Sequence, residues 1–393
     1  MGLILNDLKN ACELEHVCDY VNNRTTSSMN YISTENMLPN KGGISESTII
    51  PPGTTTEYKI GDILISNIRP YFQKIWCADR CGGCSADVLC IRAKENTDSK
   101  YLYYLLSQQA FFDYVMSGAK GCKMPRGDKK QIMQWPVNIP AIDVQKKVVA
   151  ILSSLDNKIR LNRRINDNLE EQAKALFKSW FVDFEPFKGG KFVDSELGLI
   201  PKGWSTGTIY SYIDVIYGAP YKSALFNDKK QGLPLIRIRD LKTYTPQYYT
   251  KEVLPNTEYV ECGDIIAGMD AEFIPHIWRG EKGVLNQRLC KFVPKYDYVS
   301  KYYIYSLVYP KLAFVQSYKV GTTVSHLGKA DIDRFKVIVP PEDIIMQYSK
   351  IVNSYFAEIV KVSNENQILS SLRDTLLPKL MSGELSVGDV SLD

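Results

Sequence analysis

At 393 residues, with 45% apolar and 23% charged side chains, the chain has the make-up of a globular protein of two or three domains, not of a disordered one. No apolar run approaches the ~20 residues of a membrane span, and the opening Met1-Gly2-Leu3-Ile4-Leu5 stretch lacks the basic start of a secretion signal, so a cytoplasmic location is expected. A net charge of +4 permits nucleic acid as a partner without requiring it, and nine cysteines, an odd number, argue against a disulfide framework.

The first unit spans residues 1–140. Short β-rich runs dominate it, at Asp62–Ser66, Lys74–Trp76 and Asp87–Ile91, punctuated by Pro51-Pro52-Gly53 and Gly82-Gly83. A helix is expected from Ser99 to about Met116. The 25 tyrosines suit such strands, and they also suit a surface that stacks and hydrogen-bonds. Four cysteines crowd together as Cys77, Cys81, Cys84 and Cys90, but zinc sites usually draw on two close pairs, and Cys90 lies in an apolar strand. Reduced structural cysteines and no metal are expected.

Residues 141–184 read as one long helix, free of Pro and Gly in its interior. Leu155, Ile159, Asn162, Asn166, Leu169, Ala173, Leu176 and Trp180 alternate four and three apart, which is a heptad seam. Residues 185–204 form a linker, and 205–340 a second unit that repeats the first. Gly61-Asp62-Ile63 returns as Gly263-Asp264-Ile265, Ile75-Trp76 as Ile277-Trp278, and Ser99-Lys100-Tyr101 as Ser300-Lys301-Tyr302. The run Trp135-Pro136-Val137-Asn138-Ile139-Pro140 matches Phe335-Lys336-Val337-Ile338-Val339-Pro340, and the helix after it is repeated over 341–385, before a tail at 386–393. This spacing far exceeds the ~20–50 residues of a solenoid repeat, so a whole module is used twice. Its second helix carries Ile359, Val362, Asn366, Leu369 and Leu376 along the equivalent seam, and Pro378 is expected to end or kink it.

The connection argues for orientation. A helix of about 42 residues is roughly 63 Å long. Parallel pairing would stretch a linker of about 20 residues almost fully along that length. Antiparallel pairing needs only a slack linker and brings Asn166 and Asn366 together near mid-seam. A buried polar position costs stability but fixes register. The expected fold class is therefore α+β. Two similar mixed α/β, β-rich units are separated by a long antiparallel two-helix coiled coil and related by a pseudo-two-fold axis.

Catalytic signatures are missing. There is no phosphate-binding Gly-x4-Gly-Lys-[Ser/Thr] loop, no Gly-x-Ser-x-Gly elbow and no His-Glu-x-x-His helix. An [Asn/Asp]-Pro-Pro-[Tyr/Phe] loop of amino-methyltransferases is also absent, and His16, His276 and His326 match no triad spacing. Asp62 and Asp264 recur, each in a Gly-Asp-Ile turn, where a structural role is the simpler reading. The chain is expected to be non-catalytic.

Several segments carry a resemblance. Ile139-Pro140 and Val339-Pro340-Pro341 open the helices, and Leu176-Phe177-Lys178-Ser179-Trp180-Phe181-Val182-Asp183-Phe184-Glu185-Pro186 closes the first. Gly198-Leu199-Ile200-Pro201-Lys202-Gly203-Trp204 starts the second unit, and Leu376-Leu377-Pro378-Lys379-Leu380-Met381-Ser382-Gly383-Glu384-Leu385 lies near the end. In this order they resemble the specificity subunits of type I restriction–modification systems over essentially the whole chain. The first unit departs in lacking an Ile-Pro-x-Gly-Trp opening. The resemblance implies two target-recognition domains, at 1–140 and 205–340, and two conserved helical regions, at 141–184 and 341–385. Each domain would read one half of an asymmetric bipartite DNA target, and the helices would set the spacer. It also implies as partners double-stranded DNA, two modification (methyltransferase) subunits carrying S-adenosylmethionine, and a restriction (motor-nuclease) subunit. No cofactor is expected on this chain. The alternative is a coiled-coil adaptor that does not read DNA.

Base readout favours Arg or Lys for guanine and Asn or Gln for adenine, while phosphates need only charge or an N–H. In the first unit these types gather at Asn67, Arg69, Tyr71, Gln73 and Lys74, and again at Lys120, Lys123 and Arg126. The second unit offers Arg237 and Arg239, read as one strand face, with Arg279, Lys319, Thr322, Ser325 and His326. Lys146, Lys147, Arg163 and Arg164 on the first helix are expected to face partner subunits or the DNA spacer.

Overall fold

A computed structural model describes residues 11–26, 30–45, 53–121, 123–319 and 326–387, so the Pro51-Pro52 turn signal lies outside the described residues. The chain divides into two compact units. One takes the chain up to Asn157 and resumes at Ser371; the other is Lys158–Ser370. No helix among the described residues is long and apolar enough to cross a membrane.

In the first unit the run Ile63–Ser66 is apolar at successive positions because both faces of its sheet are covered. Ile63 and Ile65 point into one core with Leu89, Ile91 and the neighbouring helices. Leu64 points into another, with Trp76, Val88, Cys90 and Tyr58. The sheet is antiparallel, in the order Cys18–Tyr20, Val88–Ala93, Ile63–Ser66, Ile75–Cys77. A three-stranded sheet of Arg24–Thr25, Thr55–Tyr58 and Gly82–Cys84 covers its second face, and Cys12–Glu13 pairs with Pro136–Val137. The helix expected as one piece is two, Ser99–Leu106 and Gln109–Ser117. It breaks at Ser107, whose hydroxyl donates to the Tyr103 carbonyl (2.6 Å) and bends the backbone there.

The second unit repeats this order with Ile213–Tyr217, Leu289–Pro294, Ile265–Gly268 and Pro275–Ile277. Ser205–Thr208 pairs with Lys336–Val339, as Cys12–Glu13 pairs with Pro136–Val137. Its covering sheet is larger, in the order Tyr249–Thr250, Leu233–Ile236, Gly283–Leu285, Tyr259–Val260. A single helix, Lys301–Lys319, runs through Pro310.

The repeated Gly-Asp-Ile turns are structural. Asp62 accepts from the Lys59 amide (2.7 Å) and from both arms of Arg92 (2.7 Å each). Asp264 accepts from the Glu261 amide (2.9 Å) and is paired with Lys301 (2.6 Å). A carboxylate buried at a turn needs a cation beside it, and each unit supplies a different one.

Residues 185–204 are not a slack linker. Phe192–Ser195 and Gly198–Pro201 form a hairpin. Phe184 and Phe187 pack edge-on against Trp204, with ring centroids 5.5 and 4.9 Å apart. The aromatics bury apolar area that a free linker would expose.

The long helices are Ile142–Phe181 and Glu342–Ser382, and the second runs four residues beyond Pro378 without ending. Burial of Leu377, Leu380 and Met381 in the first unit's core, beside Val148 and Leu152, compensates for the backbone hydrogen bond that proline forfeits. In the second unit Ile159, Asn162, Asn166, Ala173, Ile359, Val362 and Ser363 are buried. Leu155, Leu169, Leu176, Asn366, Leu369 and Leu376 are half-buried. Pairing there is antiparallel. Asn162 donates to Asn366 Oδ1 (3.0 Å) and to Glu365 (2.8 Å), and Asn166, one turn on, donates back along the partner to Ser363 (3.0 Å). Asn166 therefore does not meet Asn366. The register is one helical turn away from the expected one, because matching equivalent residues across the repeat does not set the packing of the intervening layers.

Candidate nucleic-acid interface

The loop leaving the first unit's central strand turns sharply. Arg69 and Gln73 both adopt left-handed backbone conformations (φ 50° and 51°) around the short 3₁₀ turn Pro70–Phe72. That geometry is costly for residues with a Cβ and is held by tertiary contacts. The Arg69 amide donates to the Pro125 carbonyl (2.8 Å), and Ile68 bridges to Arg126. The second segment is itself a small hairpin, in which Lys120 and Arg126 exchange amide–carbonyl bonds of 2.9 Å. The two loops singled out in the sequence are thus one surface. In the second unit the same construction recurs: Asp270 bridges to His326, and the Leu327 amide donates to the Met269 carbonyl (2.7 Å).

A third segment joins each pair of loops, the turn just before the strand Val88–Ala93 or Leu289–Pro294. The Asn67 amide donates to Asp87 O, and at the equivalent place the Met269 amide donates to Arg288 O, both at 2.9 Å. The side chains on this shared backbone differ. In the first unit Arg126 pairs with Asp87 (3.1 Å). In the second, Asp270 accepts from His326 Nδ1 (2.7 Å) and pairs with Arg288 (3.3 Å). The sequence points to the loop Gly268–Phe273 that holds Asp270, but not to Asp87 or Arg288. Asp87 and Arg288 stand immediately before the aligned strands, so their equivalence, though not their contacts, was legible in the sequence.

The remaining candidates fall into three groups. Lys123 and Arg239 are exposed, as is Tyr71 beside Phe72 (centroids 4.7 Å). Lys120 is exposed and holds Asp128 (2.9 Å), the residue that caps the helix Lys129–Met133. Lys319 plays a similar part, binding Asp331 (2.6 Å) and the His326 carbonyl (2.9 Å). A second group is occupied within the fold. Lys74 donates to the Thr34 carbonyl (2.7 Å), and burial lowers its pKa. Gln73 bonds Gln109. Asn67 stands apart from these: it is half-buried, and its Oδ1 has no partner among the described residues. Thr322 and Ser325 form the third group, outside the described residues, as is Cys122.

One reading is corrected, and another candidate proves to be engaged inside the fold. Arg237 and Arg239 do not alternate along a strand, which ends at Ile236. Arg237 starts the 3₁₀ turn Ile238–Asp240, pairs with Asp240 (3.4 Å) and stacks 4.3 Å from the Tyr248 ring centre. Arg279 is only 17% exposed and pairs with Glu170 on the long helix, while its carbonyl accepts from Gln367 (3.0 Å). It fastens the second unit's sheet to the helices, and little of its guanidinium is left exposed.

Gly268 ends the strand that feeds this surface. A Cβ there would lie 2.1 Å from the Glu272 carbonyl oxygen, a backbone atom that cannot move aside cheaply. Gly268→Ala is expected to cost about 1–3 kcal/mol by overpacking and to shift Met269 and Asp270. Urea denaturation checks the first effect, and DNA binding by the assembled complex checks the second.

Among the described residues no group of three or more His, Cys, Asp or Glu side chains is arranged to hold a metal ion. Burial pushes the Cys77 thiol up to about 11. Cys90 shifts in the same direction through its hydrogen bond with Cys84 and through burial.

Both repeats, at residues 10–171 and 201–370, match the model of one family, the type I restriction modification DNA specificity domain. The chain belongs to this family. Among curated relatives, the type I restriction enzyme MjaIX specificity subunit of Methanocaldococcus jannaschii is 27% identical, over 76% of this chain and 71% of its own. The HindI specificity subunit of Haemophilus influenzae is 24% identical, over 90% of this chain and 94% of its own. A solved type I restriction–modification S subunit from M. genitalium aligns over 97% of this chain and 98% of its own, at 14% identity and a TM-score of 0.47. In this chain the three segments, here termed a notch, share their backbone bonds between the two units and differ in their side chains.

Proposed function

We propose that this chain is the non-catalytic DNA-reading subunit of a type I restriction–modification assembly. Residues 1–140 and 205–340 act as its two target-recognition domains. The observation that carries this reading is the DNA specificity family's match to both halves. It is supported by two loop surfaces with a common backbone frame and unlike side chains, as expected where one scaffold reads two different sequences. In this reading each domain takes one half of an asymmetric bipartite target, and the paired long helices set the spacer and dock two modification subunits. S-adenosylmethionine resides on those subunits, a restriction subunit completes the assembly, and the complex works in the cytoplasm.

Sequencing of methylated bases in the genome of a cell expressing the chain with its modification subunits tests this. The expected result is a split motif with two unlike halves. Exchanging residues 205–340 for the equivalent region of a relative should change one half and leave the other intact. A methylated motif without a gap, or filter binding with no sequence preference when the modification subunits are present, would overturn the reading in favour of an adaptor.

A further inference from the structure

The two notches share a backbone and differ in where they carry charge. The positions occupied by Ile68, Asp87 and Arg126 in the first unit hold Asp270, Arg288 and His326 in the second. At these aligned positions each unit has a carboxylate and an exposed guanidinium in contact with it: Arg126 is 57% exposed and Arg288 67% exposed. The elements are exchanged. In the first unit the return loop supplies the arginine and the strand turn supplies the acid. In the second the strand turn supplies the arginine, and the outgoing loop supplies an acid that also fixes the His326 ring by one nitrogen.

An arginine on an open surface loses much rotamer freedom on binding, and a carboxylate holding one edge of the guanidinium removes part of that cost beforehand. The fork presents five N–H donors, so an edge engaged by Asp leaves others for a planar acceptor pair. In the major groove that pair is guanine O6 and N7. A phosphate-binding cation needs no such guidance, since charge alone suffices.

We infer that this three-segment notch is the base-reading centre of each unit, with Arg126 reading guanine in one half-site and Arg288 in the other. Asp87 and Asp270 are positioning residues. Moving the arginine from return loop to strand turn shifts the guanine contact relative to the frame, so identical scaffolds acquire unlike half-sites. The inference deepens the proposed function and rests on it.

The test uses the chain assembled with its modification subunits, and a DNA library with both half-sites randomised. Arg288→Ala is expected to cost at least about fivefold in discrimination at a single guanine position of one half-site, the lower end for a lost bidentate contact. The other half-site should be unchanged. Arg126→Ala should do the same in the opposite half-site. Asp270→Asn should weaken preference at the position read by Arg288 without abolishing binding, a readout that a purely structural role would leave level across bases. Assembly with the modification subunits, measured in parallel, confirms that each variant is folded. Uniform weakening across all sequences, with a shallower salt dependence, would make these arginines phosphate contacts and overturn the inference. An unchanged motif would do the same. If the unaltered complex shows no split motif, the proposed function itself fails.

Discussion

Arg279→Ala is expected to destabilise the second unit by about 3 kcal/mol at neutral pH, the lower end of the range for stranding a buried charge. Its partner Glu170 is 27% exposed and pairs with no other cation among the described residues, so removing the guanidinium leaves a poorly hydrated carboxylate on the long helix. Burial already holds the Glu170 carboxyl above its ordinary value, and Arg279 opposes that rise. Without Arg279 it should rise further. A carboxyl whose folded pKa is raised contributes stability that is full below its unfolded value and lost as pH rises through the folded one. The deficit of the variant should therefore shrink on acidification towards the carboxylate range. Denaturant unfolding at pH 7 and near pH 5 measures this. A deficit that stays level, or grows in acid, would show that Glu170 is not the group left stranded. Arg279→Ala combined with Glu170→Leu should lose less than Arg279→Ala alone.

The polar layer in the helix pair should respond in the opposite sense. Asn162 and Asn166 each spend their amide nitrogen across the seam, yet the Oδ1 atom of each is buried with no partner among the described residues. An unpaired buried polar atom costs about 1–3 kcal/mol. Converting both layers together, with Asn162→Leu, Asn166→Leu, Ser363→Ala and Asn366→Leu, should stabilise the chain by roughly 2–4 kcal/mol. The rise is read as a higher denaturation midpoint with an unchanged slope. Asn162→Leu alone should destabilise, because it removes the donor from Asn366 Oδ1 and from Glu365. Were the fourfold variant less stable than the parent, the asparagine layer would be stabilising the fold and not only fixing its register.

The sequence carried the architecture because periodicity is a property of the backbone. The heptad spacing from Leu155 to Leu176 reports 3.6 residues per turn wherever that helix packs, and the apolar run at Ile63 reports a strand covered on both faces. The repeat then doubled each inference. Side-chain partners are not written at that level. Arg126 and Arg279 look alike in sequence, but one stands open beside Asp87 and the other is closed over Glu170, more than a hundred positions away. Which asparagine faces which depended on how successive layers stack, a choice that local spacing leaves free within one turn. Nothing in the local sequence marks Arg288, because its partner Asp270 lies 18 residues earlier and is brought beside it only by the sheet. The sequence by itself determined the duplicated α+β plan and the two loop regions that could meet DNA. Only the tertiary structure decided which cations on those loops remain available to bind, because the fold brings carboxylates from distant segments within reach of some and not others.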